Sequence, residues 1–430
     1  MQRGQSARSA VGIDFGTTNS SIALADSSGS VELATFPFAG AITDAYRSLL
    51  YLEKTKSWTG PEGIEQYLSA DQKGRLIQSL KSFLSSRTLL STEVFGRRRT
   101  LEELISRIIK DLREKAEHQF GLKIREAVVG RPVRFVGAED DDQSLYAETR
   151  LSEAFHLAGF DSIQFEMEPV AAAHYYESTL DHDELILIGD FGGGTSDFSL
   201  IHVGPGTRSR KLLGNAGVGL AGDAFDAKII RNLVSPALGA GTQIRSMGKV
   251  LPAPTWVYAK LERWHHLSFL KSRDVMNMLN SVLAQADHPD KIAAFLHLIQ
   301  EDLGYQLHRA VQKTKCDLSI QETARFQFDD GSIQLDFTVH RSDFEFWICE
   351  ELAQIEQCVD ALVKDCGIEA AEVDMVFLTG GSSFVPAVRR IFESRFGAHR
   401  IRAGNEFTSV ARGLALKALK VRRGLQLNPG

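Results

Sequence analysis

Residues 188–200 of the chain read IGDFGGGTSDFSL. The apolar residues Leu185–Ile188 before the glycines and Phe198–Val203 after them predict two neighbouring strands joined as a hairpin. Glycine lets a backbone turn sharply and present several N–H groups to one ligand, and Asp190 and Asp197 add a carboxylate on either side of the turn. A phosphate chain that carries a divalent cation suits such a tip, because a metal-free anion site would not normally hold two aspartates.

The stretch has a twin near the start of the chain. Residues 11–24 read VGIDFGTTNSSIAL and superpose on it without a gap. Asp14 falls on Asp190, an offset of 176 residues, and Gly16 falls on the first of the three glycines. Two ordinary hairpins with glycine tips are the alternative, but such hairpins need neither aspartate. The pair therefore predicts a duplicated fold whose two phosphate loops face each other across a cleft and clamp one nucleotide.

Length and charge exclude several classes of protein. The 430 residues (47.5 kDa) suffice for two or more domain-sized units. A net charge of −6 makes nucleic acid and anionic membrane unfavoured partners, and the densest basic run, Arg97–Arg99, is predicted to be a solvated loop. No apolar run approaches the ~18 residues of a membrane span, and the polar start lacks the apolar segment of a signal peptide. The four cysteines form no CxxC pair, which indicates reduced thiols in a cytosolic protein.

The first half of the chain alternates strands and helices. Thr100 and Glu103 form a capping box at the start of a helix with one apolar stripe, and Gly121 ends that helix. The other elements predicted here are a strand at Ala127–Pro132, a helix from about Ser144 to Leu157, a strand end at Glu166–Val170 and a helix that Pro169 starts and that runs through Tyr176. This alternation predicts an α/β structure in which helices cover a mixed sheet.

The second half is richer in helix. Residues 219–226, GLAGDAFD, are predicted to open a helix, and a strand at Val373–Leu378 followed by Gly380 and Gly381 leads to a helix through Pro386. Paired glycines between a strand and a helix N-terminus let a ligand approach the backbone closely. The remaining predictions are a largely helical stretch Pro254–Leu318, a hairpin Arg325–Val339, a long helix from Ser342 to Gly367 and a final helix from about Thr408 to Val421.

The two loops resemble the phosphate loops of the actin, hexokinase and heat-shock chaperone superfamily. Their sequences, VGIDFGTTNS and DFGGGTSDFSL, are specifically similar to those of DnaK-type heat-shock chaperones. The similarity spans residues 11 to about 420 in the right order. It implies a duplicated actin-like ATPase fold of α/β class with two lobes around a nucleotide cleft. It is greatest to short homologues that consist of the nucleotide-binding domain alone.

The resemblance implies a set of site residues. Asp14 and Asp190 would hold Mg²⁺ largely through water. Lys81, Glu168 and Asp197 would act in catalysis, although spacing alone makes Lys81 a surface lysine and Glu168 also suits a helix N-terminus. The phosphate contacts would be Gly16, Thr17, Thr18, Asn19, Gly192, Gly193, Gly194 and Thr195, and the remaining nucleotide contacts Gly222, Asp223, Lys315, Ser319, Gly380, Gly381 and Ser382.

Four positions depart from the family pattern. Gln312 and Cys316 replace the Glu and Arg that surround the adenine, so the purine pocket lacks a planar cation that stacks on the base. Met167 replaces the Asn before Glu168, and Arg131 replaces an apolar residue before a proline. We therefore expect looser adenine selectivity than the family has.

The predicted organisation is a polar tail (1–10), lobe I (11–180), lobe II (181–400) with a helical subdomain at about 225–320, a closing helix (401–421) that returns to lobe I, and a tail (422–430). No room for a peptide-binding β-sandwich follows the closing helix, so we expect no ATP-regulated capture of extended peptides.

The first hypothesis for the function is a cytoplasmic, ATP-hydrolysing, chaperone-like switch. It would bind ATP and ADP, and a protein partner would read its nucleotide state. The alternatives are a nucleotide-gated, actin-like scaffold or filament protein, and a small-molecule kinase, for which the sequence offers no substrate-positioning feature.

Overall fold

A computed structural model describes residues 9–427 except 39, 71–73, 178–179, 206–210, 247–248, 264–266, 268–269 and 404–409. The first eight residues of the predicted polar tail and Thr408, the predicted start of the final helix, lie outside the described residues. The chain forms two compact units. Unit 1 comprises the residues up to Gly219 together with Ile355–Ser383 and Ile391 onward, and unit 2 comprises Leu220–Gln354 and Phe384–Arg390. These bounds differ from those of the two predicted lobes, whose division at residue 180 stays a prediction.

The strands of the described residues are numbered in chain order. They are β1 (Ala10–Phe15), β2 (Asn19–Ala25), β3 (Val31–Leu33), β4 (Phe36–Phe38), β5 (Ala41–Thr43), β6 (Tyr46–Arg47), β7 (Leu49–Leu52), β8 (Ser57–Thr59), β9 (Arg75–Gln78), β10 (Ser91–Val94), β11 (Arg97–Thr100), β12 (Glu126–Arg131), β13 (Ser162–Met167), β14 (Glu184–Phe191), β15 (Ser196–Val203), β16 (Lys211–Val218), β17 (Gln243–Ser246), β18 (Lys249–Pro252), β19 (Thr323–Asp329), β20 (Gln334–His340), β21 (Met375–Thr379) and β22 (Ile401–Ala403).

The α-helices are numbered in the same way. They are α1 (Gly60–Ser69), α2 (Leu101–Phe120), α3 (Asp141–Leu157), α4 (Glu168–Glu177), α5 (Gly222–Ile229), α6 (Ser235–Ala237), α7 (Thr255–Leu261), α8 (Arg273–Gln285), α9 (Pro289–Gln300), α10 (Gly304–Ile320), α11 (Arg341–Trp347), α12 (Cys349–Asp365), α13 (Pro386–Phe396) and α14 (Val410–Leu427). Short 3₁₀ turns at Leu80–Phe83 and Gly381–Phe384 carry predicted site residues.

The two main sheets of unit 1 have the same topology. The first has the order β13-β12-β1-β2-β3, with β6 beside β2, and the second has the order β16-β15-β14-β21-β22. In each sheet a central strand pairs antiparallel with the strand that follows it and parallel with a later one, β12 for β1 and β21 for β14. The predicted α/β class and the predicted duplication are confirmed, because a repeat of two hairpins alone would not reproduce the parallel neighbours.

The first sheet is covered on both faces. Alternate residues of β1 point to opposite faces, as a strand requires: Val11 and Ile13 join a core with α2 and α3, whereas Ala10 joins a core with α4 and α14. The second sheet packs Ile186 and Ile188 against α4. The helix α4 therefore lies between the two sheets and contributes apolar side chains to both cores.

The helix α2 follows local sequence rules. The Thr100 hydroxyl accepts a hydrogen bond from the Glu103 amide, and the Glu103 carboxylate accepts one from the Thr100 amide, which completes the predicted capping box. The helix ends at Gly121, which adopts the left-handed conformation that favours glycine. The predicted start and end are both confirmed, because each depends on residues within one turn of the boundary.

Two predicted helix boundaries are corrected. The helix expected from about Ser144 begins earlier, at Asp141, because the Asp140 carboxylate accepts a hydrogen bond from the Gln143 amide and caps it. The long helix predicted from Ser342 to Gly367 is two helices, α11 and α12, because the chain leaves helical geometry at the buried Ile348.

Two further predictions are wrong in their bounds or type. The final helix continues past Val421 to Leu427, so most of the predicted tail at 422–430 is helical. The arginine run Arg97–Arg99 is not a loop but part of β11, which pairs with β10. Neither error moves a predicted site residue.

Unit 2 contains the predicted helical stretch and the predicted hairpin. The helices α7 to α10 account for most of Pro254–Leu318, and β19 pairs with β20 across the turn at Asp330 and Gly331. Among the described residues of the whole chain, no helix combines the length and the apolar character that crossing a membrane requires.

Candidate functional site

The predicted site residues divide between the two units, and each group is described within its own unit. In unit 1, both glycine-containing turns join antiparallel strands, β1 to β2 and β14 to β15. A side chain at Gly16 would collide with the Asn19 carbonyl oxygen, 2.1 Å from an added Cβ. In the second turn, the Gly192 amide donates to the Thr195 carbonyl over 2.9 Å. Both turns are therefore tight enough to present backbone N–H groups at their tips.

The predicted metal-binding aspartates occupy equivalent places in the two sheets. Asp14 pairs in register with Ser21 on β2, and Asp190 pairs with Asp197 on β15. Directly opposite residues of an antiparallel pair have Cβ atoms about 5 Å apart, so Asp190 and Asp197 form a close pair of carboxylates. The second hairpin thus carries one carboxylate more than the first.

Two hydroxyl groups orient the carboxylates of the second hairpin. The Thr379 hydroxyl, at the end of β21, donates to Asp190 Oδ1 over 2.6 Å. The Thr195 hydroxyl donates to Asp197 Oδ2 over 3.0 Å. Each aspartate is therefore held in place through one of its two carboxylate oxygens.

Lys81 lies inside the unit rather than on its surface. Its ammonium contacts Glu168 Oε1 at 2.8 Å, and its side chain is only 7% exposed. The turn that carries it begins at Ser79, which adopts the left-handed conformation (φ 58°), and Glu168 is the first residue of α4. Glu168 thus lies at a helix N-terminus, as one of the two expectations had it, and pairs with Lys81, while its role in catalysis stays a prediction.

Burial and mutual repulsion raise the pKa values of the aspartates. Burial is the largest cause for Asp14, whose pKa rises to about 7, and the Glu168 carboxylate adds to it. Burial and then the Asp190 carboxylate raise the pKa of Asp197 to about 7. Burial also raises the pKa of Asp190, although the hydrogen bond from Thr379 lowers it in part.

Lys81 responds in the opposite sense. Burial alone would lower its pKa, but the carboxylates of Glu168, Asp14 and Asp190 outweigh burial and raise it. The ammonium therefore stays charged at neutral pH. Asp197 also interacts with this ammonium, so one positive charge faces four carboxyl groups. Because the carboxyl groups outnumber the ammonium, the site attracts further positive charge.

The donor set suits a hard divalent cation. Mg²⁺ prefers carboxylate oxygen and water, and it is often bound through one or two carboxylates with several waters retained. In the described part of the chain, no three Asp, Glu, His or Cys side chains lie close enough together to bind a metal ion directly. Asp14 and Asp190, helped by water and phosphate oxygens, therefore fit Mg²⁺ better than a metal that needs an all-protein cage.

A third turn lies next to the second hairpin. Gly380 has a φ of 81°, and a Cβ there would approach the Phe191 carbonyl oxygen to 2.0 Å, so only glycine fits. The predicted nucleotide residues Gly381 and Ser382 lie in the short 3₁₀ turn that follows, and Ser382 is buried. The turn thus stands beside Asp190 through the pairing of β14 with β21.

The remaining predicted residues belong to unit 2. Gly222 and Asp223 open α5, and the Lys315 ammonium on α10 contacts the buried Asp226 at 2.7 Å and donates to the Gly222 carbonyl. The Ser319 hydroxyl donates to the Lys315 carbonyl. The structure thus brings these residues together around the contact of α5 with α10.

Residues that sequence reasoning missed have partners in both units. Thr379, which holds Asp190, stands directly before the glycine pair, a signal that could have identified it. Arg47 donates to the Asn19 side chain over 3.0 Å, and Asp226 pairs with Lys315. The last two pairings join residues 28 and 89 positions apart, which no local pattern indicates.

A cavity of about 490 Å³ borders the second hairpin. Thr195 and Asp197 line it together with residues 133–138 and 215–219, all of unit 1. Asp197 therefore borders open space as well as the carboxylate cluster.

Comparison with known proteins gives one family. The family model described as "Hsp70 protein" matches residues 65–244 and 298–426, more than half of the chain. This match includes both the turn of Lys81 and the second hairpin.

Curated relatives agree with the family model. "Chaperone protein DnaK" of Thermosipho africanus (strain TCF52B) is 26% identical over 411 residues, which are 95% of this chain and 58% of the relative. "Chaperone protein DnaK" of Thermus thermophilus is 24% identical over 433 residues, 95% of this chain and 60% of the relative. The chain thus spans about three fifths of the length of these relatives.

The raised pKa of Asp197 predicts a pH-dependent loss of stability without divalent cations. An unfolded aspartate ionises near pH 3.8, whereas folded Asp197 ionises near 7, so the folded state holds the proton in between and loses stability as the pH rises through this window. Asp197→Asn should therefore raise the melting temperature in EDTA at pH 7.5 and raise it clearly less at pH 5, and the difference between the two pH values corresponds to about 2.5 kcal/mol.

The matched control is Asp336→Asn, because Asp336 is exposed and its hydrogen bonds from Arg325 lower its pKa. It should not stabilise the protein at pH 7.5. Calorimetric melts at both pH values measure the effect, and equal shifts for Asp197→Asn at pH 5 and 7.5 would contradict the pKa assignment.

Proposed function

Since the chain belongs to the Hsp70 family, we propose that it binds ATP with Mg²⁺, hydrolyses it slowly and acts as a chaperone-type switch. The observation that carries this proposal is the set of four carboxylates that interact with the Lys81 ammonium: Asp14, Asp190 and Asp197 beside the turns of the two duplicated hairpins, and Glu168 at the N-terminus of α4. Such a site suits a ligand that brings both phosphate oxygens and a cation. Phosphoryl transfer to water then depends mostly on positioning and charge neutralisation.

The two hairpin turns would bind the phosphates. Backbone N–H groups at Gly16 and Gly192–Gly194, with the hydroxyls of Thr17, Thr18 and Thr195, offer the donors. When bound, Mg²⁺ would neutralise phosphate charge, and Asp14 and Asp190 would hold it largely through water.

Lys81 and Asp197 would act on the transferred group and on water. The Lys81 ammonium, held by Glu168, would offset negative charge that develops on the γ-phosphate. Asp197 would orient the attacking water and accept its proton, because a carboxyl group with a pKa near 7 is suited to proton transfer at neutral pH.

The nucleotide state would be read by a protein partner. A ligand shifts a conformational equilibrium only by binding one state better than another, and ATP and ADP differ in the phosphate that Lys81 would contact. The proposed switch is therefore the site itself, and the partner would recognise a surface that changes with it.

Removal of either metal-binding carboxylate should weaken Mg²⁺-dependent ATP binding. Asp14→Asn and Asp190→Asn each remove one negative charge from the site without changing its shape. Calorimetric titration with ATP in Mg²⁺ and in EDTA should show that the advantage given by Mg²⁺ shrinks in both variants. Asp26→Asn, on an exposed turn, is the control, and an unchanged Mg²⁺ advantage in both site variants would refute the metal role.

Lys81→Ala should lower turnover far more than affinity. A group that acts mainly on developing charge affects the transition state more than the ground state, and its loss should cost about 100-fold in turnover. Single-turnover hydrolysis and ATP titration measure the two effects separately, with Lys110→Ala on the exposed face of α2 as the control. Hydrolysis by Lys81→Ala at the parent rate would mean that Lys81 has a structural and not a catalytic role.

Cys316→Arg should tighten ATP binding. Cys316 is an exposed residue of α10, the helix that carries Lys315 and Ser319, and a guanidinium stacked on the base contributes about 1 kcal/mol. Competition with labelled ATP measures the change, and Cys349→Arg, another exposed cysteine, is the control. Weaker or unchanged binding would mean that this position does not face the base.

A further inference from the structure

Arg150 of α3 is buried beneath the turn that follows Lys81. Its guanidinium donates to four main-chain carbonyls, with Nη1 at 3.3 Å from Phe83, 3.2 Å from Leu84 and 3.0 Å from Ser86, and Nη2 at 3.2 Å from Leu89. The residue is 4% exposed. One buried side chain thus satisfies carbonyls all along residues 83–89.

The carbonyls after Phe83 need such a donor, whereas the Phe83 carbonyl also accepts a hydrogen bond from the Ser86 amide. Residues 84–90 form no strand or α-helix, so several of their backbone oxygens lack a ladder partner. Only arginine offers five N–H donors in a fixed fork, whereas lysine has one ammonium on a flexible stem. The contacts therefore depend on the guanidinium shape and not on charge alone.

Glu102 makes the burial of this cation possible. Arg150 Nε contacts Glu102 Oε1, and Glu102 is itself buried near the start of α2. Burial alone would raise the pKa of Glu102, but the hydrogen bond and the charge of Arg150 together with the other hydrogen bonds to this carboxylate outweigh burial, so the pKa is lowered. The pair joins α2 and α3 to the backbone of residues 83–89.

We propose that Arg150, paired with Glu102, is a positioning residue that fixes the turn carrying Lys81 and so holds its ammonium on Glu168. The Phe83 carbonyl that Arg150 binds ends the same 3₁₀ turn in which Lys81 lies. The expected effect of Arg150 on turnover rests on the proposed function. The effect of Arg150 on the position of Lys81 does not, because it can be measured without ATP.

Arg150→Lys tests the proposal, with Arg113→Lys as the matched control. Arg113 is also a buried arginine of unit 1 that donates to a carbonyl, that of Gly159, and lies beside a glutamate, Glu117. Its contacts lie away from the turn of Lys81. Two quantities are compared in parent and variants: the rate at which an amine-acetylating reagent modifies Lys81, by mass spectrometry, and kcat against ATP affinity.

Arg150→Lys should speed acetylation of Lys81 and lower kcat about tenfold or more while ATP affinity changes little, because small misplacements of a catalytic group are costly. Arg113→Lys should leave both quantities at the parent values. Equal effects of the two variants, or unchanged acetylation in Arg150→Lys, would overturn the proposal.

Two further outcomes are distinct from these. A parent protein without ATPase activity would refute the proposed function, while the acetylation rates would still decide the positioning role. If Arg150→Lys does not fold, Glu102→Gln is the second variant, because it removes the charge that holds the guanidinium. Glu102→Gln should speed acetylation of Lys81. Unchanged acetylation of Lys81 in Glu102→Gln would overturn the proposal.

Discussion

Excess negative charge acting on the buried Lys81 ammonium is the constraint on which the candidate site of unit 1 depends. The Lys81 ammonium contacts Glu168 and interacts electrostatically with Asp14, Asp190 and Asp197, and burial raises the pKa of each of the three aspartates. Charges out of water are costly unless they are paired, so this group stabilises the fold poorly by itself. Under the proposed function, a bound cation would complete this site and offset the charge of these carboxylates.

The duplication explains where these charges stand and why the two copies differ. The same sheet order places Asp14 and Asp190 at equivalent strand ends. Opposite them stand Ser21 in the first copy and Asp197 in the second. The second copy therefore holds the additional carboxylate, and with it the group that we propose acts on water.

Local sequence rules predict the structural elements that depend on neighbouring residues. They fail for contacts between residues that lie far apart in the sequence. Both hairpins and the capped helix α2 follow from residues within a few positions of each other. The contact of Lys81 with Glu168 joins residues 87 positions apart, and spacing alone favours a surface lysine. The interruption at Ile348 carries neither glycine nor proline, so only packing around that buried residue could reveal it.

Under the proposed function, the departures from the family pattern at Gln312 and Cys316 would bear on the base and not on the phosphates. Both residues lie on α10 of unit 2, whereas the carboxylates and Lys81 all lie in unit 1. A stacking cation contributes about 1 kcal/mol, whereas interactions between buried charges are several times larger. Under the proposed function, a cysteine in place of the arginine would therefore act on the preference for the base and leave the phosphate-binding residues of unit 1 unchanged, so a Mg²⁺-dependent switch would be compatible with relaxed selectivity for adenine.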